Sequence, residues 1–254
     1  EEEYELYGED EEELELADAM ADISQMAMRT ESKTSLKLVR KLTRAAKAGN
    51  ADQLRELITP GVDVDAIEKS GDATALYLAA DKGSVRSISV LLEAGAAIDR
   101  RCTSSGTTAL YGAALRGHVD CVEALLNAGA DSDRSATNGI TPLYAACEGG
   151  MHECAQALLR ARADVNCAAK DGRTALWAAV ALGRLQCVSL LIAAKADPDL
   201  TSATRGTALC AACEYGKGDC LQLLIDSGAS VNTGSGEEGR SPLHAACARG
   251  STGC

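Results

Sequence analysis

A period of thirty-three to thirty-four residues governs this chain. Positions equivalent to Thr74 recur at Arg40, Thr74, Thr108, Thr141, Thr174, Thr207 and Ser241, spaced 34, 34, 33, 33, 33 and 34 residues apart. Self-similarity at that period marks a stack of small units rather than one common core. Other columns keep step. Gly stands nine residues after each anchor, from Gly49 and Gly83 to Gly250. An apolar pair follows at Leu57–Ile58, Leu91–Leu92, Leu125–Leu126, Leu158–Leu159, Leu191–Ile192 and Leu224–Ile225. Seven residues beyond each pair comes Asp or Asn, at Asp65, Asp99, Asp133, Asn166, Asp199 and Asn232. Four columns over six or seven units do not coincide by chance.

Most columns have a physical task. Thr or Ser at the anchor caps a helix by accepting a bond from a free backbone N–H. Pro142 and Pro242 follow at the first helical position, where no N–H is needed. A short helix of small residues comes next, and the Gly nine residues on breaks it. A second helix carries the apolar pair together with Ile88, Val122, Val188 or Leu221 three residues earlier, forming one stripe. Gly61, Gly95, Gly129 and Gly228 stand where that helix stops and a left-handed residue is wanted. One such pair of helices cannot bury its apolar face alone, but stacked pairs can. This explains why a chain of 254 residues contains no Phe and a single Trp.

The stretch Gly-Ile-Thr-Pro-Leu-Tyr-Ala-Ala from Gly139 to Ala146, and the run from Gly117-His-Val through Leu125-Leu to Gly129-Ala, resemble the ankyrin repeat. The resemblance covers about residues 37–254. It implies an all-α solenoid of stacked helix–turn–helix units joined by β-turn fingers, with a concave binding face. Units are expected to start near 37, 67, 100, 134, 167, 200 and 233, after an acidic segment over 1–36. Departures from the family pattern carry expectations of their own. The family's His becomes Tyr77, Tyr111, Tyr144, Trp177 or Cys210 and survives as His244. Arg162 and Lys195 replace the helix-ending Gly, so those two ends should be weaker or differently shaped. Unit one lacks the Thr cap and reads as a solvated terminal unit. The chain begins at Glu1 rather than Met, and the seventh unit stops at Cys254 before any apolar pair. The native protein is expected to continue there, or another element to cover that end.

The eleven cysteines also fall in columns. Cys121, Cys154, Cys187 and Cys220 precede the stripe of helix two, while Cys147, Cys213 and Cys247 lie in helix one. Both sets should face the interior as small hydrophobes. Equal positions of adjacent units stand ~10 Å apart, beyond the ~7 Å Cα separation a disulfide allows. Reduced thiols and a reducing intracellular compartment are therefore expected. Cys102 and Cys167 fall in loops, where they could react. Cys210-x-x-Cys213 with His244-x-x-Cys247 looks like a zinc set, but the same spacing between units keeps the two pairs apart, so no metal is expected. Gly234 to Gly239 matches a dinucleotide fingerprint only formally, because no strand precedes it and two Glu interrupt it. Three His in separate units supply no catalytic constellation. The expectation is a protein with no enzymatic activity and no cofactor.

The net charge of −12 lies in one place. Residues 1–22 hold twelve acidic and no basic side chains, which leaves the remainder neutral. Such a body lacks the basic face nucleic acid requires. The longest apolar run, Ala175 to Leu182, is too short to cross a bilayer. Within the acidic segment, Leu16, Met20, Ile23 and Ala27 form a helical stripe. It would suit docking on a partner or on the basic run from Arg29 to Lys47.

The resemblance implies binding to another protein. The resemblance places contacts on the fingers (Ser104, Ser105, Asn138, Ile140, Lys170, Arg173, Arg205, Glu238, Arg240). It also places them at the ends of the first helices (Asp81, Lys82, Leu115, Arg116, Glu148, Ala181, Leu182, Glu214, Tyr215, Arg249). From these, Leu115, Arg116, Ile140, Glu148, Arg173, Leu182, Arg205, Glu214, Tyr215 and Arg240 form the candidate site, with Leu115, Ile140, Leu182 and Tyr215 expected to be its exposed apolar members. Trp177 is expected to serve packing. The role that follows is a scaffold or adaptor. The alternatives are a substrate-receptor subunit of a ubiquitin ligase and a structural subunit of a larger assembly.

Overall fold

The computed structural model describes residues 36–67, 72–202, 205–233 and 241–249. Residues 1–35 of the acidic segment, with its helical stripe, lie outside the described residues, as do Glu238 and Arg240. Helix α1 spans 36–48. It is followed by α2 (Ala51–Leu57), α3 (Ala75–Lys82), α4 (Val85–Glu93), α5 (Ala109–Arg116), α6 (Val119–Asn127) and α7 (Pro142–Gly149). Then come α8 (His152–Arg160), α9 (Ala175–Ala181), α10 (Leu185–Ala193), α11 (Ala208–Glu214), α12 (Gly218–Asp226) and α13 (Pro242–Arg249).

The helices form two layers. First helices stack in the order α3, α5, α7, α9, α11, α13, and second helices in the order α2, α4, α6, α8, α10, α12. The interior is therefore a column of thin layers. Leu76, Ala79 and Ala80 meet Ile88 and Leu91, and the next layer repeats this with Leu110, Ala113, Ala114, Val122 and Leu125. Each buried Leu contributes roughly 1.5–3 kcal/mol, and the small residues of helix one let the layers approach closely.

Thr74, Thr108, Thr141, Thr174 and Thr207 cap α3, α5, α7, α9 and α11, each accepting from the N–H three residues on. A cap of this kind is worth about 1 kcal/mol. Arg40 behaves differently, because α1 runs through it without a break. The anchor position of unit one is helical interior, with Lys37, Lys41, Arg44 and Lys47 exposed and Leu42, Ala45 and Ala46 buried.

Arg162 and Lys195 do not end their helices differently. Both take φ +67. The Arg162 N–H donates to Leu159 O at 3.1 Å and the Ala163 N–H to Leu158 O at 3.1 Å. Lys195 and Ala196 repeat the pattern onto Ile192 and Leu191. The packing of the turn imposes the left-handed residue whether or not it is glycine.

The Asp/Asn column is the joint between units. The Ala97 N–H donates to Asp65 at 2.9 Å, Asp131 N–H to Asp99 at 3.3 Å and Asp164 N–H to Asp133 at 2.9 Å. The Asp197 N–H donates to Asn166 and the Ser230 N–H to Asp199, both at 2.8 Å. The fingers form a second ladder. Thr137 N–H donates to Ser105 O at 3.0 Å and Lys170 N–H to Asn138 O at 2.9 Å. Gly139 is needed there, because it takes φ +82 and a Cβ would stand 2.7 Å from Lys170 N.

Candidate functional site

The site begins with the cap. A Thr that accepts from the N–H three residues on fixes the residue at that place in the first turn of helix one. That residue is Tyr77, Tyr111, Tyr144 or Trp177 in successive units. Tyr77 and Tyr111 are half-buried, and Gly112 leaves room for the first, since a Cβ there would stand 3.1 Å from Tyr77 Cε2. Tyr144 and Trp177 are buried. Burial pushes the Tyr144 phenol up to about 12, against the opposing charge of Arg173.

At Trp177 three units contribute to one cleft of about 250 Å³. Tyr144 and Glu148 of α7 form one side, and Trp177, Ala178, Ala181 and Leu182 of the α9 region form the floor. Arg173 and Arg205 reach in from two fingers, and Tyr215 closes the far side. The Arg173 guanidinium lies 5.1 Å from the Trp177 ring centroid, a cation–π stack. Asp171 holds it there, with Nε–Oδ2 at 2.6 Å and the Arg173 N–H donating to Oδ1 at 3.1 Å. Burial alone would raise the Asp171 carboxyl, but these bonds and the Arg173 charge keep it below its ordinary value. The Tyr215 ring meets Trp177 edge-on at 6.3 Å. Arg205 donates to the Tyr215 hydroxyl at 2.9 Å and stands 3.7 Å from Glu214. The Trp177 indole N–H is buried and has no hydrogen-bond partner among the described residues.

Six of the sequence-predicted residues thus gather here: Glu148, Arg173, Leu182, Arg205, Glu214 and Tyr215. Leu182 and Tyr215 are exposed, at 47% and 36%. Leu115 and Ile140 are not exposed apolar members; both are half-buried. Leu115 stands seven residues after its cap, as do Asp81, Glu148, Ala181 and Glu214, none of them exposed. The eighth position faces solvent at Lys82, Arg116, Leu182 and Tyr215, while Gly149, its equivalent on α7, is half-buried. Ile140 precedes its cap and packs against the core. Arg116 lies away from the cleft, bound to Asp81 at 2.8 Å. Trp177 is buried in the core, as expected of a packing residue, and also lines the cleft. Its partner Tyr215 lies 38 positions on, so periodicity alone does not pair them.

The cysteine columns are buried at Cys121, Cys147, Cys154, Cys187, Cys213 and Cys220. Cys102 is buried rather than open in a loop, and burial raises its thiol. Cys247 is exposed, because no described helix stacks over α13. Within the stack, the neighbouring Cys187 of the next unit, together with burial, raises the Cys147 thiol. This contact crosses columns, so equal-position spacing did not reveal it. Of the zinc-like residues, Cys210 accepts from Thr207 at 3.5 Å and His244 Nδ1 pairs with Ser241 Oγ at 2.8 Å. Among the described residues no group of three or more His, Cys, Asp or Glu is placed to hold a metal ion, and no helix is long and apolar enough to cross a membrane.

Stacked two-helix units, capped by Thr and linked by fingers, define a repeat protein. The chain belongs to the ankyrin-repeat family: the family described as ankyrin repeats (three copies) matches residues 42–136, 129–202 and 190–254. Among the solved structures similar to it are two ankyrin repeat domains. One is the ankyrin repeat domain of Bcl-3, described as a unique member of the IkappaB protein family, with 26% identity and a TM-score of 0.72, covering 81% of this chain and 92% of that one. The other is the human ASB11 ankyrin repeat domain, with 29% identity and a TM-score of 0.71, covering 81% and 90%. No curated protein matches the sequence.

Proposed function

We propose that this chain is a protein-binding scaffold or adaptor, without catalytic chemistry of its own, that engages its partner through the finger and helix-one face of its middle units. The observation that carries this reading is the gathering of side chains from three units around one cleft, with Leu182 and Tyr215 exposed beside it. Apolar and aromatic anchors flanked by Arg are what protein interfaces concentrate. Ankyrin repeats are general protein-interaction modules, and both structural neighbours are ankyrin repeat domains. Buried cysteines in the cores suit a reducing compartment.

The test is affinity capture with mass spectrometry, comparing the native chain with Leu182→Glu. Leu185→Gln, an exposed α10 position outside the cleft, serves as the control. A partner retained by the native chain and the control, and lost by a folded Leu182→Glu, supports the reading. Equal recovery by all three would remove the cleft from the interface.

A further inference from the structure

Three groups around the Trp177 cleft are hydrogen-bond donors. The indole N–H is buried and has no acceptor among the described residues, which disfavours it relative to a hydrogen-bonded group. Arg173 lies over the Trp177 ring and Arg205 lines the same cleft from the next finger, and each guanidinium has been pre-set. Asp171 occupies Nε of Arg173, and Tyr215 and Glu214 take one end of Arg205. A guanidinium carries five N–H donors in a rigid fork, so both retain donors for a ligand. Planar forks of this kind match carboxylates.

The charges that oppose an incoming carboxylate are few. Asp171 is bound to Arg173 and Glu214 to Arg205. Glu148, across the cleft, carries the remaining negative charge and makes no ion pair within 4.0 Å among the described residues. It suits a main-chain N–H from a ligand. An incoming cation is poorly served, because the Trp177 face is already covered by Arg173. The apolar surface beside the donors, formed by Ala178, Ala181, exposed Leu182 and Tyr215, takes an aliphatic side chain next to the acid.

We propose that the cleft receives an extended peptide segment of another protein in which an Asp or Glu stands beside a leucine-sized apolar residue. The carboxylate lies between Arg173 and Arg205, and the apolar residue rests on Leu182 and Tyr215 beside the Trp177 side chain. This rests on the binding-face reading above and adds the chemistry of the partner.

Trp177 is the sole tryptophan, so its emission reports on the cleft in the full chain. The probes are three synthetic twelve-residue peptides: one alternating Glu and Leu, one with Gln for Glu, and one with Lys for Glu. The acidic peptide should change Trp177 emission and bind about tenfold more tightly than the Gln peptide, the worth of one charge-assisted hydrogen bond. Arg173→Gln and Arg205→Gln, both surface changes checked for folding by circular dichroism, should each remove most of that margin. Calorimetry on Trp177→Phe should show weaker acidic-peptide binding.

Equal or tighter binding of the Gln or Lys peptide would overturn the proposal. So would an acidic-peptide affinity unmoved by both Arg substitutions. A change in Trp177 emission on neutralising the chain's own acids within residues 1–22 would also overturn it, by naming that segment as the occupant. If no probe binds but partner capture still depends on Leu182, the partner chemistry is wrong and the binding-face reading stands. If capture is indifferent to Leu182 as well, both fail.

Discussion

Replacing Arg162 and Lys195 by glycine should stabilise the protein. Both residues end a second helix at φ +67 and are exposed. Neither side chain makes a hydrogen bond or ion pair among the described residues. An L-residue in the left-handed region costs roughly 1–2 kcal/mol, and the extra freedom glycine brings to the unfolded chain offsets about 0.5–1 kcal/mol. The net gain is about 0.5–1 kcal/mol for each substitution. The converse change supplies the control. Gly129 takes φ +92, and a Cβ there meets nothing within 4 Å, so Gly129→Arg adds backbone strain without a clash and should lose a similar amount. Urea unfolding followed by far-ultraviolet circular dichroism reads all four proteins, with m expected to stay constant. Trp177 emission follows the layer next to both substitutions. An unchanged or lower midpoint in both single glycine variants, with Gly129→Arg also neutral, would show that the left-handed cap costs nothing here.

Gly83→Ala should destabilise more than Gly129→Ala in the same urea assay, by about 1–3 kcal/mol, because its Cβ would stand 2.7 Å from the His118 ring of the next unit. Thr141→Ala removes the α7 cap and should cost about 1 kcal/mol in urea unfolding, while Thr141→Ser should retain most of it. Carbon-detected NMR should find the Asp72 carboxyl titrating at about 2, lowered chiefly by the Ser104 hydroxyl and then by Thr103. The depressed value means these finger contacts are intact above the ordinary carboxylate range and loosen as pH falls from about 4 towards about 2; amide shifts of Ser104 that stay constant over that window would refute the assignment. Alkylation at neutral pH followed by peptide mapping should modify exposed Cys247 well before Cys121 and Cys154, whose thiols burial pushes up to about 11.

The parts of the fold that a sequence can show are those fixed within one unit. Thr caps, left-handed glycines and the Leu–Leu stripe are local chemistry, and the helices begin and end where those residues require. Contacts between units are harder to read. The Asp/Asn column was visible as a repeat, but its partner is a backbone N–H 31 or 32 residues on, which no side chain advertises. The exposure of Leu115 failed for a related reason. One step along helix one separates a position that faces the neighbouring unit from one that faces water, and both were apolar or charged in different units. The pairing of Trp177 with Tyr215 depends on the stacking offset between two layers. One signal pointed to it: the chain's only Trp and an eighth-position Tyr fall in consecutive units.

The Asp/Asn joints all run in one sense. The acceptor always comes from the earlier unit, and the donor is always main chain in the later one. A main-chain donor exists whatever side chain the later residue carries, so the connector is indifferent to what it joins. A unit can therefore be duplicated, excised or grafted between two others so long as one Asp or Asn is kept in its trailing loop. The face around Trp177 is free to diversify, because the parts that vary and the parts that couple lie on different residues.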